Sequence, residues 1–110
     1  METLLVLTTL PDGESADALA ARLVEARLAA CVNILPPGRS VYRWEGQVER
    51  TNETLMLIKT GAARYAALEA AIRTHHPYEL PEIVAVPIAY GLPDYLAWVA
   101  AESTPDDTTC

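Results

Sequence analysis

Cys31-Val32-Asn33-Ile34-Leu35-Pro36-Pro37-Gly38-Arg39-Ser40-Val41-Tyr42-Arg43-Trp44-Glu45-Gly46-Gln47-Val48-Glu49-Arg50, running on through Thr51-Asn52 to Thr54-Leu55-Met56-Leu57-Ile58-Lys59, reads as one long β-hairpin. Glu45-Gly46 is a two-residue turn, since glycine accepts positive φ. That turn sets Trp44 opposite Gln47, Tyr42 opposite Glu49 and Val41 opposite Arg50. Pro36-Pro37-Gly38 interrupts the outgoing arm, and Thr51-Asn52 is expected to break the return arm. Arms of about 14 residues at about 3.3 Å each reach roughly 45 Å. A domain of this size has a radius of gyration of only about 13 Å. The hairpin must therefore bend or project. Projecting edges that carry Tyr42 and Trp44 invite another chain, so oligomerisation through these two side chains is expected.

Outward from the hairpin the elements alternate. Upstream, Leu4-Leu5-Val6-Leu7-Thr8-Thr9-Leu10 is a continuous apolar run closed by Pro11-Asp12-Gly13, the signature of a buried strand. A helix follows, with Ser15 expected as N-cap and Asp17 in its first turn. Ala16, Leu19, Ala20, Leu23 and Ala30 fall at helical spacing. Downstream, Gly61 precedes a second helix whose apolar stripe reads Tyr65, Leu68, Ile72, His75. Pro77 forbids its continuation and pushes His76 towards extended geometry. Ile83-Val84-Ala85-Val86-Pro87-Ile88 is a last strand, with Pro87 marking an edge or bulge. Pro93 and Asp94 start a final helix with Tyr95, Leu96, Trp98 and Val99 on its apolar side. The order β-α-β-β-α-β plus a helix is the ferredoxin-like α+β arrangement, with both long helices on one face of an antiparallel sheet. One domain is expected over residues 1–102, and residues 103–110 read as a disordered tail.

Composition narrows the function. Of 110 residues, 51% are hydrophobic and 21% charged, the balance of a folded soluble chain. A net charge of −7 without a basic stripe argues against nucleic acid. No apolar run is long enough to span a bilayer, so no membrane role is expected. Met1-Glu2-Thr3 carries no basic segment ahead of the apolar residues, unlike a signal peptide. Two cysteines, Cys31 and Cys110, are too few for a disulfide framework, which makes a cytoplasmic protein the expectation.

Familiar catalytic signatures are missing: no G-x-S-x-G elbow, phosphate loop, G-x-G-x-x-G, H-E-x-x-H or C-x-x-C occurs. The expectation is a protein that is not an enzyme and has no obligatory cofactor. Polar groups instead gather at His75-His76-Pro77-Tyr78-Glu79-Leu80-Pro81-Glu82, between a helix and a strand. His76 with Glu79 offers nitrogen and oxygen to a divalent cation, and Cys31 adds a thiolate. That donor set favours copper or zinc over magnesium or calcium. A free cysteine such as Cys31 is more often a small buried hydrophobe than a ligand, and His75 reads as a packed stripe residue. Lys59, the single lysine, is either a solvated strand tip or a cation facing Glu79 or Glu82 across a cleft. That cleft is expected between subunits, lined by His76, Tyr78 and Glu79 with Lys59 and Glu82 nearby and Trp44 contributed by either chain.

The motifs Ala30-Cys31-Val32-Asn33-Ile34, Tyr42-Arg43-Trp44-Glu45-Gly46, Leu57-Ile58-Lys59-Thr60, His76-Pro77-Tyr78-Glu79 with Pro81-Glu82-Ile83, and Tyr95-Leu96-Ala97-Trp98 occur in this order. Together they resemble the CutA divalent-cation-tolerance family from about Leu4 to Glu102. The resemblance implies a ferredoxin-like subunit, related in architecture to the PII signalling proteins, in a homotrimer whose hairpins pair between subunits. It also implies a link to copper tolerance and the binding of Cu²⁺ or another divalent cation. The alternative it leaves open is a PII-like signalling or scaffold module, holding a small anionic ligand near Lys59 between subunits.

Overall fold

A computed structural model describes residues 2–105. The elements are β1 (Thr3–Leu10), α1 (Gly13–Glu25), β2 (Cys31–Ile34), β3 (Gly38–Trp44), β4 (Gln47–Gly61), a 3-10 turn (Ala62–Arg64), α2 (Tyr65–His75), β5 (Ile83–Pro87) and α3 (Pro93–Glu102). The sheet runs β2-β4-β1-β5, with β3 paired to the far half of β4 and every pairing antiparallel. This is the ferredoxin-like α+β arrangement, the proline pair having split one hairpin arm into β2 and β3.

Strand alternation divides the sheet into two faces. Val6, Thr8 and Leu10 of β1, with Thr54, Met56, Ile58 and Thr60 of β4, point to the helices and are buried. Ala16, Leu19, Ala20 and Leu23 of α1 and Leu68 and Ile72 of α2 close over them as one core. The other face bears Leu5, Leu7, Leu55 and Leu57, only partly buried, and Val84 and Val86, each about half exposed.

The hairpin turn has positive φ at both central residues, Glu45 (50°) and Gly46 (81°), as a two-residue connection demands. Trp44 pairs with Gln47, Tyr42 with Glu49 and Val41 with Arg50, the register read from the sequence. The expected break at Thr51-Asn52 does not occur. Those residues pair with Ser40 and Arg39, so their backbone groups are satisfied and β4 runs unbroken for 15 residues. The chain is accordingly elongated, 52 × 31 × 23 Å with a radius of gyration of 14.8 Å, and residues 41–50 are all exposed.

Helix ends depart from the sequence reading by a few residues. Asp12, not Ser15, caps α1: its Oδ1 accepts hydrogen bonds from the Ser15 N–H and Oγ, each 2.8 Å. Those bonds hold the Asp12 carboxyl below its usual pKa. The first turn therefore carries Glu14 rather than Asp17. At α3 only Val99 of the expected apolar side is buried, while Tyr95 and Trp98 are exposed. The start of the expected tail is docked. Ser103 is buried, its Oγ accepting from the Gly61 N–H (3.1 Å) and donating to the Val99 carbonyl (2.7 Å). Arg27 Nε donates to the Thr104 carbonyl at 2.7 Å. Residues 106–110, and with them Cys110, lie outside the described residues. Among the described residues no helix is long and apolar enough to cross a membrane.

Candidate functional site

α2 ends as Pro77 requires, and the ending decides which histidine turns inward. His75 completes the helix and is exposed; His76 is extended (φ −80°, ψ 137°) and buried. The sequence reading had these roles reversed, because one residue of helix rotates a side chain by about 100°. The His76 Nε2–H donates to the Thr9 carbonyl at 2.7 Å, and Nδ1 accepts from the Tyr78 N–H at 3.1 Å. A carbonyl only accepts and an amide N–H only donates, so the partners assign a neutral ring with its proton on Nε2. Both nitrogens are thereby committed to backbone.

The ring positions Tyr78. The two ring centroids lie 4.8 Å apart, and the Tyr78 hydroxyl donates to Glu53 Oε2 at 2.9 Å. Burial pushes the Tyr78 phenol up to about 12, and the Glu53 hydrogen bond and charge add to the effect. The phenol is thus a neutral donor that fixes a carboxylate across the junction.

Beyond Tyr78, the base of the projecting hairpin and the Tyr78–Glu82 segment enclose a cleft of about 760 Å³. Tyr42 and Trp44 of β3, Thr51 and Glu53 of β4, and Thr9 of β1 reach it from the helix-free face of the sheet. Glu79, Leu80, Pro81 and Glu82 close the other side. The Tyr42 hydroxyl and Thr51 Oγ1 are hydrogen-bonded at 3.0 Å, bracing the floor. Among the described residues, every charged one lining this cleft is a glutamate: Glu53, Glu79 and Glu82. A smaller hollow, about 390 Å³, lies on the other side of the same loop and brings Arg73 and Thr74 to Glu79.

Trp44, Tyr78, Glu79 and Glu82 line this cleft within one chain, with Tyr42 beside them. Lys59 does not join them. It sits six residues along β4 from Glu53, roughly 20 Å of strand, bonds Asn33 Oδ1, and lies 5.9 Å from the Tyr95 ring centroid. Within one chain Lys59 therefore does not pair with Glu79 or Glu82, and this cleft receives no cation from it. Cys31 is a free, half-buried thiol opposite Lys59, level with Leu5. Thr9, where His76 is anchored, lies four residues further along β1, about 13 Å away. The structure thus does not gather Cys31, His76 and Glu79 into a chelate. Among the described residues no three His, Cys, Asp or Glu side chains form a metal-holding group. Glu53, Thr9 and Thr51 were missed in the sequence. The signal was available: the register that faces Tyr42 with Glu49 puts Thr51 and Glu53 on the same side, once the strand is taken as unbroken.

A ferredoxin-like chain with a projecting hairpin and an acidic, aromatic cleft at its base is the class that these features define. Residues 4–102 match the family model of the CutA1 divalent ion tolerance protein. The chain belongs to that family. It is 49% identical over 94 residues to the divalent-cation tolerance protein CutA of Thermus thermophilus, covering 86% of this chain and 91% of that one. The crystal structure of CutA from Xylella fastidiosa superposes with a TM-score of 0.91 at 43% identity, covering 94% of this chain and 100% of that one. A CutA from Archaeoglobus fulgidus, described as periplasmic, superposes at 0.90 with 36% identity over 93% of this chain and 99% of its own.

Proposed function

We propose that this member of the divalent-cation-tolerance family is a homotrimeric binding protein, not an enzyme, that takes up Cu²⁺ or another divalent cation at the carboxylates of the cleft. The observation that carries the reading is the charge of the lining, Glu53, Glu79 and Glu82 with no basic residue among the described residues that line it. Such a wall concentrates cations and repels anions. Without a three-donor group among the described residues of one chain, the cation is held by charge and water, or completed by a neighbouring subunit. His76 is committed to backbone hydrogen bonds, which supports binding over acid–base chemistry. Assembly is supported by the helix-free face, where Leu5, Leu7, Leu55, Leu57, Val84 and Val86 form a continuous apolar surface wider than single exposed side chains. Tyr42 and Trp44, both exposed on the hairpin, extend it. The compartment we infer is the cytoplasm, where the Cys31 thiol stays reduced; cell fractionation tests it.

Light scattering and equilibrium dialysis test the rest together. The wild-type chain is expected to scatter as a trimer, and Val84→Lys with Val86→Lys to scatter as a smaller species. Both valines are about half exposed, so the double variant spares the core. Glu79→Gln with Glu82→Gln is expected to keep the trimer and lose Cu²⁺ and Zn²⁺ uptake, while Cys31→Ser keeps both. A wild-type monomer at micromolar concentration sinks the assembly. Unchanged uptake in the glutamate variant sinks the site.

A further inference from the structure

Alternation along the projecting ribbon sorts its charges onto two faces. Tyr42 and Trp44 share one face with Glu49 and Glu53. The opposite face carries Arg39, Val41 and Arg43 of β3 with Val48, Arg50 and Asn52 of β4. It holds three of the chain's eight lysines and arginines and no acidic residue, in a chain whose net charge is −7. All six residues are exposed, Val41 and Val48 to 57% each. None of the three arginines has a hydrogen-bond or ion-pair partner among the described residues. Val48 and Arg50 have the parity of Met56 and Ile58, so this face continues the helix-bearing side of the sheet to where no helix covers it. The assembly proposed above uses the helix-free side. The arginine face therefore looks outward in the single chain and in the assembled protein alike.

We propose that this face docks an acidic, extended segment of another protein, with aspartate or glutamate at every second residue. The spacing of the arginines selects that partner. Arg39 lies opposite Asn52, Arg50 opposite Val41 and Arg43 opposite Val48. The cationic positions therefore step along the ribbon two residues at a time, about 6.6–6.8 Å per step, alternating between β3 and β4. An extended peptide repeats its same-face side chains at that interval, so each step meets a carboxylate, which the guanidinium fork accepts in bidentate fashion. A helix repeats its faces about every 5.4 Å and falls out of step. Val41 and Val48 leave apolar surface between the charges for the partner's aliphatic stems. A screening length of about 8 Å in physiological salt isolates the ribbon from the acidic body of the chain. A short segment confined to the ribbon meets the arginines alone, whereas a long polyanion or a membrane runs on into the field of that body. The proposal is independent of the cation cleft, whose rings belong to the ribbon's other face.

The test titrates the full chain, at low salt, into three fluorescein-labelled peptides followed by anisotropy. One alternates glutamate with threonine and valine, the second has the same composition with its glutamates adjacent, and the third carries lysine in place of glutamate. The alternating peptide is expected to saturate one site per chain, several-fold tighter than its isomer, while the lysine peptide gives no binding. Raising NaCl from about 20 to about 300 mM should weaken it by about tenfold or more. Arg43→Gln with Arg50→Gln is expected to weaken it by about fivefold or more, at the wild type's light-scattering mass and denaturation midpoint. Equal binding of the two glutamate peptides, or indifference to the arginine variant, overturns the proposal. So does tighter binding of a thymidine oligonucleotide or of phosphatidylserine vesicles, which makes the face a nucleic-acid or membrane surface. An arginine variant that loses the wild type's scattering mass makes the face a contact between copies, and that overturns it too.

Discussion

His76→Leu removes two hydrogen bonds that no neighbour replaces, those to the Thr9 carbonyl and from the Tyr78 N–H. The ring is 8% exposed, so water reaches neither orphan freely. A buried polar group left without a partner costs about 1–3 kcal/mol, so two such groups put the variant about 2–6 kcal/mol below the wild type. Domains of this size have about 5–15 kcal/mol in all. Near 100 residues, 1 kcal/mol moves the melting temperature by about 4–8 °C, so a drop of 10 °C or more is expected. The two bonds can be separated. Asn carries its amide oxygen near the Nδ1 position and can still accept from Tyr78 N–H; Gln carries its amide nitrogen near Nε2 and can still donate to Thr9. Each is expected to recover roughly half of the loss. Guanidinium denaturation at one fixed protein concentration is the assay, since an oligomer's midpoint moves with concentration. A Leu variant within about 1 kcal/mol of the wild type that nevertheless loses metal uptake would refute the reasoning, making His76 a ligand rather than a strut.

Two further outcomes follow from single groups. The Tyr78 phenol is pushed up to about 12 in the folded chain, against about 10 unfolded. Its contribution to stability is therefore complete below about pH 10 and lost as the pH climbs towards 12. Denaturation midpoints between pH 9 and 11 should fall less steeply in Tyr78→Phe than in the wild type, and parallel slopes would contradict this. Thr8 faces the core and its hydroxyl is buried without a partner among the described residues, so Thr8→Val is expected to raise stability by about 1 kcal/mol. A lowered midpoint would mean that the hydroxyl is satisfied after all.

Legibility in the sequence tracked how local each determinant is. The Glu45-Gly46 turn and the pairing of Trp44 with Gln47 were readable because turn chemistry fixes register within a few residues. The end of α2 was readable because Pro77 forbids the next turn. Which of two adjacent histidines faces inward was not, since it depends on the last residue of α2 and on Thr9, 67 positions away. The distance of Lys59 from Glu79 within the chain was hidden for a related reason. Its neighbours in composition pointed to a cleft, but its place along β4 is set by pairing with Leu5 and Cys31, which no local pattern announces. The one wrong break, at Thr51-Asn52, concealed Glu53, because parity carried across an unbroken strand puts it on the same face as Tyr42.

The same unbroken strand ties the cleft to assembly. Pairing of β4 with β1 ends at Thr54 opposite Leu10, and from Gln47 to Glu53 the strand is paired only with β3. On the β1 side, the edge of that stretch carries no strand partner among the described residues. An isolated two-stranded ribbon is marginal in water at best, and a long open edge is a template for another chain. The ribbon nevertheless carries Tyr42 and Trp44, whose rings must hold still for the cleft to have a fixed wall. Rigidity at that wall has two sources in this fold: the Tyr78–Glu53 hydrogen bond, which anchors the base of the ribbon, and the neighbouring subunit proposed above, which would clamp its length. Occupancy of the cleft and strength of assembly should therefore rise together. A ligand that orders the ribbon lowers the entropy lost when subunits join, and joining subunits pre-form the wall that the ligand needs.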